Sequence, residues 1–119
     1  MISHVKFIAI PSRDQDSALS FYRDKLGFKL VTDQPHDQTQ RWIELRIGGS
    51  DTRVVLFNMG GEIGAGGFAA NFACHDVQKT YEEYLARGVE FVSPPSKQAW
   101  GEFAVMKDPD GNKLMLSTR

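Results

Sequence analysis

The feature of this sequence that most restricts its fold is an internal repeat of one order of secondary structure. A strand, a helix and three further strands are predicted in the first half, and the same order begins again after a glycine-rich stretch. The two copies are offset by about 60 residues, which exceeds the period of most solenoid repeats. We therefore predict an α+β protein of two βαβββ modules, residues 4–58 and 68–117, within a single domain over residues 1–119.

The first module is predicted from its apolar patterns. Val5–Ile10 is a β-branched and aromatic run that ends at Pro11, as a strand would. Apolar residues then recur at helical spacing after Asp14 or Asp16, and Gly27 ends this helix as a C′ residue. The remaining predicted elements are strands at Phe28–Thr32, Arg41–Ile47 and Arg53–Asn58, with a polar loop over Asp33–Gln40.

The second module follows Met59–Gly67, which holds five glycines, Gly61 among them, and is the best candidate for a linker. A strand is predicted at Phe68–Cys74, and a helix begins after Asp76 and ends at Gly88. The final strands are predicted at Val89–Ser93, closed by Pro94-Pro95, and at Phe103–Lys107 and Lys113–Ser117, which enclose a D-P-D-G-N hairpin turn.

The composition excludes some classes of partner and indicates the cellular compartment. The net charge is −1 and Lys and Arg are not clustered, which argues against a nucleic-acid-binding surface. No apolar run is long enough to span a bilayer, and the N-terminus lacks the apolar core of a signal peptide. The single cysteine, Cys74, excludes an internal disulfide. We therefore predict a cytoplasmic protein without nucleic-acid or membrane partners.

Three segments resemble the vicinal oxygen chelate superfamily, which includes glyoxalase I, bleomycin-resistance proteins and extradiol dioxygenases. The segments are Ile10–Phe28, Tyr84–Phe91 and Trp100–Asn112, and the similarity spans nearly the whole chain. The resemblance implies that the two modules form a cup-shaped mixed sheet with helices on its outer face. It also implies a homodimer with a ligand site at or near the interface. Activity does not follow, because one scaffold carries many functions.

The resemblance further implies where metal ligands would lie, on the first and fourth strands of each module. These positions fall at Val5 or Phe7, at Leu56, within Phe68–Ala70 and at Met115. None of these side chains is a good ligand for Zn²⁺, Ni²⁺, Fe²⁺ or Mn²⁺. His4 would enter the cup only if the register shifted by one residue, and a surface position suits it better. We therefore predict no metal and no cofactor.

The third strand carries the most informative polar residues. Trp42, Glu44 and Arg46 alternate with an apolar set that would meet the helix. If these three residues line a pocket, Glu44 could serve as a general base and Arg46 could stabilise an enolate-like charge. A solvated sheet face and a dimer interface remain open alternatives for the same trio.

Other residues are predicted to complete a ligand site. Asn58 would donate or accept hydrogen bonds on the inner wall, and Trp100 would belong to a loop that closes over the cup. Apolar lining with a few polar groups suits small-molecule binding, although the same residues would also fill a core without a cavity. The full predicted ligand-binding set is Phe7, Trp42, Glu44, Arg46, Leu56, Asn58, Phe72, Trp100, Phe103 and Met115.

These observations lead to three hypotheses of different classes. The first is a metal-independent protein that binds a small molecule, in the manner of bleomycin-resistance proteins, with a resistance or sequestration role. The second is a lyase, isomerase or dioxygenase-like enzyme with a non-standard site, so whether the chain is an enzyme stays open. The third is a structural subunit without a ligand.

Overall fold

The computed structural model describes residues 1–60, 62–64 and 66–119 of the 119-residue chain. The chain divides into two compact units, Met1–Ile63 and Gly64–Arg119. The boundary between the units falls within the predicted linker Met59–Gly67. Gly61 and Ala65 of that linker lie outside the described residues.

The first unit is a βαβββ module. Its sheet has the strand order β1-β4-β3-β2, in which β1 runs parallel to β4 and the other neighbours are antiparallel. Asp14 caps the helix by accepting a hydrogen bond from the Ser17 amide at 3.1 Å, and Gly27 ends the helical region with a φ of 84°. The elements are β1 (Phe7–Ile10), α1 (Gln15–Ser20) continued by a π-helical segment (Phe21–Lys25), β2 (Lys29–Pro35), β3 (Arg41–Arg46) and β4 (Arg53–Leu56).

One face of the first sheet packs against α1 and the π-helical segment, and we call it the helix face. Its core consists of Tyr22 and of fully buried aliphatic residues of three strands. Burial of each such aliphatic side chain contributes roughly 1.5–3 kcal/mol. We call the opposite surface of the sheet the open face. The buried residues are Ile10, Tyr22, Ile43, Leu45, Val54 and Leu56.

The second unit repeats this topology with the strand order β5-β8-β7-β6. Asp76 caps its helix by accepting a hydrogen bond from the Lys79 amide at 3.0 Å, and Gly88 has a φ of 85°. The predicted α+β fold of two βαβββ modules is therefore confirmed. The elements are β5 (Phe68–Cys74), α2 (Val77–Ala86), β6 (Glu90–Gln98), β7 (Gly101–Lys107) and β8 (Lys113–Thr118).

The turn between β7 and β8 is held by a buried carboxylate. Oδ1 of Asp108 accepts hydrogen bonds from the amides of Asp110 and Asn112, each at 2.9 Å. Its Oδ2 accepts another from Nδ2 of Asn112, also at 2.9 Å. Asn112 Oδ1 in turn accepts a hydrogen bond from the Gly64 amide at 3.3 Å. The predicted hairpin turn therefore also ties down the start of the second unit.

Two strands extend well beyond their predicted ends, for the same physical reason. The strand predicted to stop at Pro94-Pro95 continues through both prolines to Gln98, and β2 extends to Pro35 into the predicted polar loop. Both β6 and β2 lie at the edge of their sheets. A proline lacks an N–H but is tolerated on an edge strand or at a register shift, such as the one between Ser93 and Ser96.

Among the described residues, no helix is long and apolar enough to cross a membrane.

Candidate functional site

Strand pairing identifies the side chains of the open face of the first module. Residues directly opposite each other on neighbouring strands share a sheet face. Because Ile43 and Leu45 face the helix, Trp42, Glu44 and Arg46 lie on the open face, as the alternation predicts. Across the strands from β2 to β1, the open-face rows are Lys29–Arg46–Arg53–Phe7, then Thr32–Glu44–Val55–Ala9, and finally Gln34–Trp42.

Four rings form an aromatic cluster on this face: Phe7, His36, Trp42 and Phe57. The Trp42 ring lies 5.5 Å from Phe7, edge to face, and 5.1 Å from Phe57, between ring centroids. His36 meets Phe57 edge to face at 4.9 Å and lies 6.3 Å from Trp42. Phe57 is buried, Phe7 and Trp42 are half-buried, and His36 is exposed. The cluster therefore presents a ring surface beneath an accessible imidazole.

Glu44 fixes the orientation of the Trp42 indole. Nε1 of Trp42 donates a hydrogen bond to Oε1 of Glu44 at 3.3 Å, along the same strand. Both side chains are half-buried, whereas Arg46 is exposed. The sequence-predicted trio is thus brought onto one face, with the carboxylate directed to the tryptophan.

Two glutamines hold the strand ends that carry the cluster. Gln40 accepts a hydrogen bond from the Asn58 amide at 2.7 Å and donates one to the Asn58 carbonyl at 3.1 Å. Gln15 donates from Nε2 to the carbonyls of Arg41 and Leu56, each at 2.7 Å. Oδ1 of Asn58 accepts a hydrogen bond from the Gly60 amide at 3.0 Å. Asn58, predicted as a wall residue, therefore closes the turn after β4.

Leu56 and Phe72 do not lie on an open face. Leu56 pairs with Ile43 and is fully buried on the helix face. Phe72 pairs with Leu116, another buried residue of the helix face of its own module. Both were predicted to line a ligand site on the open face. The prediction missed their face because the face of a strand residue depends on the residues it pairs with, and these lie far away in sequence.

The open face of the second module carries the other predicted residues. Phe103 pairs with Ser117, and Met115 pairs with Asn71. The Ser117 hydroxyl donates a hydrogen bond to Oδ1 of Asn71 at 2.8 Å. Trp100 stacks on Phe103 with ring centroids 5.9 Å apart and is 62% exposed. This face therefore has an aromatic pair of its own, and two of its polar side chains are hydrogen-bonded to each other.

The side chains at the family's metal positions do not fit a divalent cation. Phe7 and Met115 lack a hard or borderline donor, and Leu56 faces the helix. His4 is exposed and precedes β1, with Nδ1 2.9 Å from the Ser3 hydroxyl. The described part of the chain holds no group of three or more His, Cys, Asp or Glu residues that could bind a metal.

Neither Phe57 nor His36 is among the residues predicted for the ligand site. The signal for Phe57 appears only once the pairing of β3 with β4 is known. Once Val54 and Leu56 are paired with the inward-facing Leu45 and Ile43, the next residue with the opposite parity is Phe57. His36 offered no such signal, because it lies in the hairpin after β2 and outside any alternating pattern.

The fold and the comparisons define the class of protein. The family model of the Glyoxalase/Bleomycin resistance protein/Dioxygenase superfamily matches residues 2–116. The chain belongs to this superfamily, as its resemblance implied.

Similar proteins of known sequence or structure cover nearly the full chain. The uncharacterized protein YetH of Bacillus subtilis strain 168 is 34% identical over 118 residues and covers 98% of both chains. The crystal structure of TnmS3, an antibiotic binding protein from Streptomyces sp. CB03234, has 33% identity and a TM-score of 0.87. The match covers 98% of this chain and 96% of TnmS3. The crystal structure of UcmS2 has 27% identity and a TM-score of 0.85, covering 100% of both chains.

Proposed function

We propose that this chain is a metal-independent small-molecule-binding protein that takes its ligand on the open face of the first module. Its role is resistance or sequestration, and it acts in the cytoplasm as a homodimer. The ligand is aromatic, and its rings lie against the aromatic cluster of Phe7, His36, Trp42 and Phe57.

The aromatic cluster is the observation that carries this proposal. Aromatic pairs in edge-to-face or offset geometry contribute about 0.5–1.5 kcal/mol beyond the area they bury. The cluster supplies ring faces and edges, and the Glu44 carboxylate holds the Trp42 indole in place, which lowers the entropy lost on binding. Further support comes from the 33% identity to TnmS3, an antibiotic binding protein.

The donor chemistry supports binding without a metal. Phe7 and Met115 stand at two positions where metal-dependent relatives would need imidazole or carboxylate groups, and neither offers a suitable lone pair. The proposed recognition therefore uses ring stacking and hydrogen bonding by the chain's own residues.

The test is ligand-induced thermal stabilisation across a panel of aromatic compounds, because a ligand that binds the native state raises Tm. We expect hits that raise the Tm of the native protein. Trp42→Leu should weaken each hit by about tenfold, the equivalent of 1.4 kcal/mol. Phe91→Leu is the matched control, since Phe91 packs on Tyr81 with ring centroids 4.6 Å apart on the helix face of the second module.

The outcomes separate this proposal from the structural subunit. The proposal is supported if Trp42→Leu weakens binding while Phe91→Leu lowers Tm and leaves affinity unchanged. Equal affinity of native protein and Trp42→Leu would reject the aromatic cluster as the site. A panel without any Tm shift would favour a subunit without a ligand.

One observation keeps the enzyme hypothesis as a second candidate. Glu44 and Arg46 share the open face, as a general base and an enolate-stabilising cation would require. Glu44→Gln should abolish turnover of any substrate found among the ligands. It should leave the affinity largely intact, because the glutamine amide oxygen can still accept the hydrogen bond from Nε1 of Trp42. Full turnover in Glu44→Gln would remove this role.

A further inference from the structure

Three cations face one another on the open face of the first module. Arg46 of β3 lies directly opposite Lys29 of β2 on one side and Arg53 of β4 on the other. Directly opposed side chains have Cβ atoms about 4.5–5.5 Å apart, and like charges at such positions repel. No ion pair within the described part of the chain includes Lys29, Arg46 or Arg53, which we call the cationic row.

In the second module the same positions of the fold do not carry three cations, so the fold itself does not require their repulsion. Its equivalent row holds Glu90 at the first position of β6, where the first module has Lys29 at the start of β2. Glu90 lies opposite Lys107, and its Oε2 is 3.8 Å from the lysine Nζ. Lys113 of β8 completes that row. The same row is thus partly neutralised in one copy of the fold and fully cationic in the other.

The nearest acid of the open face does not neutralise the cationic row. Glu44 stands in the adjacent row, two residues before Arg46 on β3. Its Oε1 accepts the hydrogen bond from Nε1 of Trp42, on the side away from Arg46. The carboxylate therefore serves the aromatic cluster and leaves the guanidinium groups of Arg46 and Arg53 available to a ligand.

We infer that the cationic row binds an anionic oxygen group of the ligand whose rings lie on the aromatic cluster. This inference rests on the proposed function and specifies its ligand as an aromatic carboxylate, sulfonate or phosphate. Phe7 joins the two surfaces, since it lies beside Arg53 and contacts Trp42 at 5.5 Å.

The geometry sets the size of the ligand. Arg46 and Trp42 lie four residues apart on one strand, so their backbones are about 13 Å apart. Because the arginine side chain is long, its guanidinium group can lie closer to the ring surface than this. Planar guanidinium groups match two oxygens of such an anion at once. The fitting ligand is a flat molecule of two or three fused rings with the anion at one end.

The test compares anthracene-2-carboxylate with its neutral amide, anthracene-2-carboxamide, by calorimetry. The native protein should bind the carboxylate about tenfold more tightly than the amide, and added salt should weaken only the carboxylate. Lys29→Glu places an acid in the first module where the second module has Glu90. It should lower carboxylate affinity about tenfold, leave amide affinity within about twofold, and raise the Tm of the free protein.

Two variants guard against trivial explanations. Lys79→Glu makes the same charge change at an exposed position of α2 in the other module and should leave both affinities unchanged. Arg46→Gln removes one cation without adding an acid, and it should reproduce the selective loss if Lys29→Glu fails to fold.

The outcomes distinguish this inference from the proposed function. Equal affinity for carboxylate and amide, or equal losses in Lys79→Glu and Lys29→Glu, would overturn the cationic row as an anion site. Amide binding that depends on Trp42 would still uphold the proposed function in that case. Absence of binding by either compound would overturn the inference.

Discussion

The two modules share one topology and one set of helix signals, yet their open faces differ. Both helices begin after an aspartate cap, Asp14 or Asp76, and both second strands follow a glycine with positive φ, Gly27 or Gly88. Among the described residues, the first open face gathers four aromatic rings and a cationic row without an ion pair. The second holds one aromatic pair, a hydrogen bond between Ser117 and Asn71, and an ion pair between Glu90 and Lys107. A helix face must bury a core in either copy. The open faces also bury single apolar residues, Val55 and Val105, but the polar and aromatic residues around them differ.

The hairpin turns before the last strand of each module differ in the same way. In the first module the turn over residues 47–50 is closed by a backbone hydrogen bond from the Ser50 amide to the Ile47 carbonyl, at 2.9 Å. In the second, the buried Asp108 holds two amides and the Asn112 side chain. The second module therefore has a buried polar anchor at this turn. The described side-chain hydrogen bonds at the turn of the first module are exposed, such as the one from the Thr52 amide to the Ser50 hydroxyl at 3.3 Å.

A substitution in the core of the first module tests the division between helix face and open face. Leu56→Ala should cost about 2–5 kcal/mol of unfolding free energy, because it leaves a cavity in a fully buried site. Denaturant titration measures this loss. Aromatic ligands should bind the folded Leu56→Ala protein as tightly as the native one, in contrast to Trp42→Leu. A lost affinity in folded Leu56→Ala would place the side chain at the ligand.

An intermediate effect tests the contrast between the two turns. Asp108→Ala should cost about 1.5–3 kcal/mol, since it leaves buried donors without their charged acceptor. Ser50→Ala removes the exposed acceptor of the Thr52 amide and should change stability by less than about 0.5 kcal/mol, because water can replace this hydrogen bond. Chemical denaturation of both variants checks the contrast, and similar losses would refute the polar anchor.

The smallest effect concerns the β2–β3 hairpin that carries His36. Hydrogen bonds from the amides of Thr39 and Gln40 lower the pKa of Asp37 below its usual range. A carboxyl with a depressed folded pKa stabilises the fold above its unfolded pKa, and this contribution is lost as pH falls through the folded value. We therefore expect the hairpin to loosen in acid only below about pH 4.

Amide hydrogen exchange at Gln40, followed from pH 5 downward, measures this loosening after correction for intrinsic exchange. Asp37→Asn should remove the pH dependence of protection. The β6–β7 hairpin, whose turn at Ala99-Trp100 carries no acid, serves as the internal reference. Parallel loss of protection in both hairpins would indicate global acid unfolding instead.

Much of the fold was predictable because its signals are local. Asp76 and Gly88 delimit α2 by capping and by positive φ, and the strand at Phe68–Cys74 has the bounds that its apolar run predicts. The end of β6 was predicted too early, at Pro94-Pro95, because a proline ends an interior strand but is tolerated in an edge strand. Whether a strand lies at an edge depends on the order of the strands in the sheet and not on the strand's own residues.

Local patterns in the chain specify the two modules, their helix limits and the alternation that separates Trp42 from Ile43. These follow from periods of 2 and 3.6 residues and from the φ values that glycine and proline allow. Strand register in the folded chain places Leu56 on the helix face, brings Phe57 and His36 to Trp42, and sets Lys29 beside Arg46. Register between strands depends on many distant contacts at once, and a single residue of slip moves every side chain to the other face.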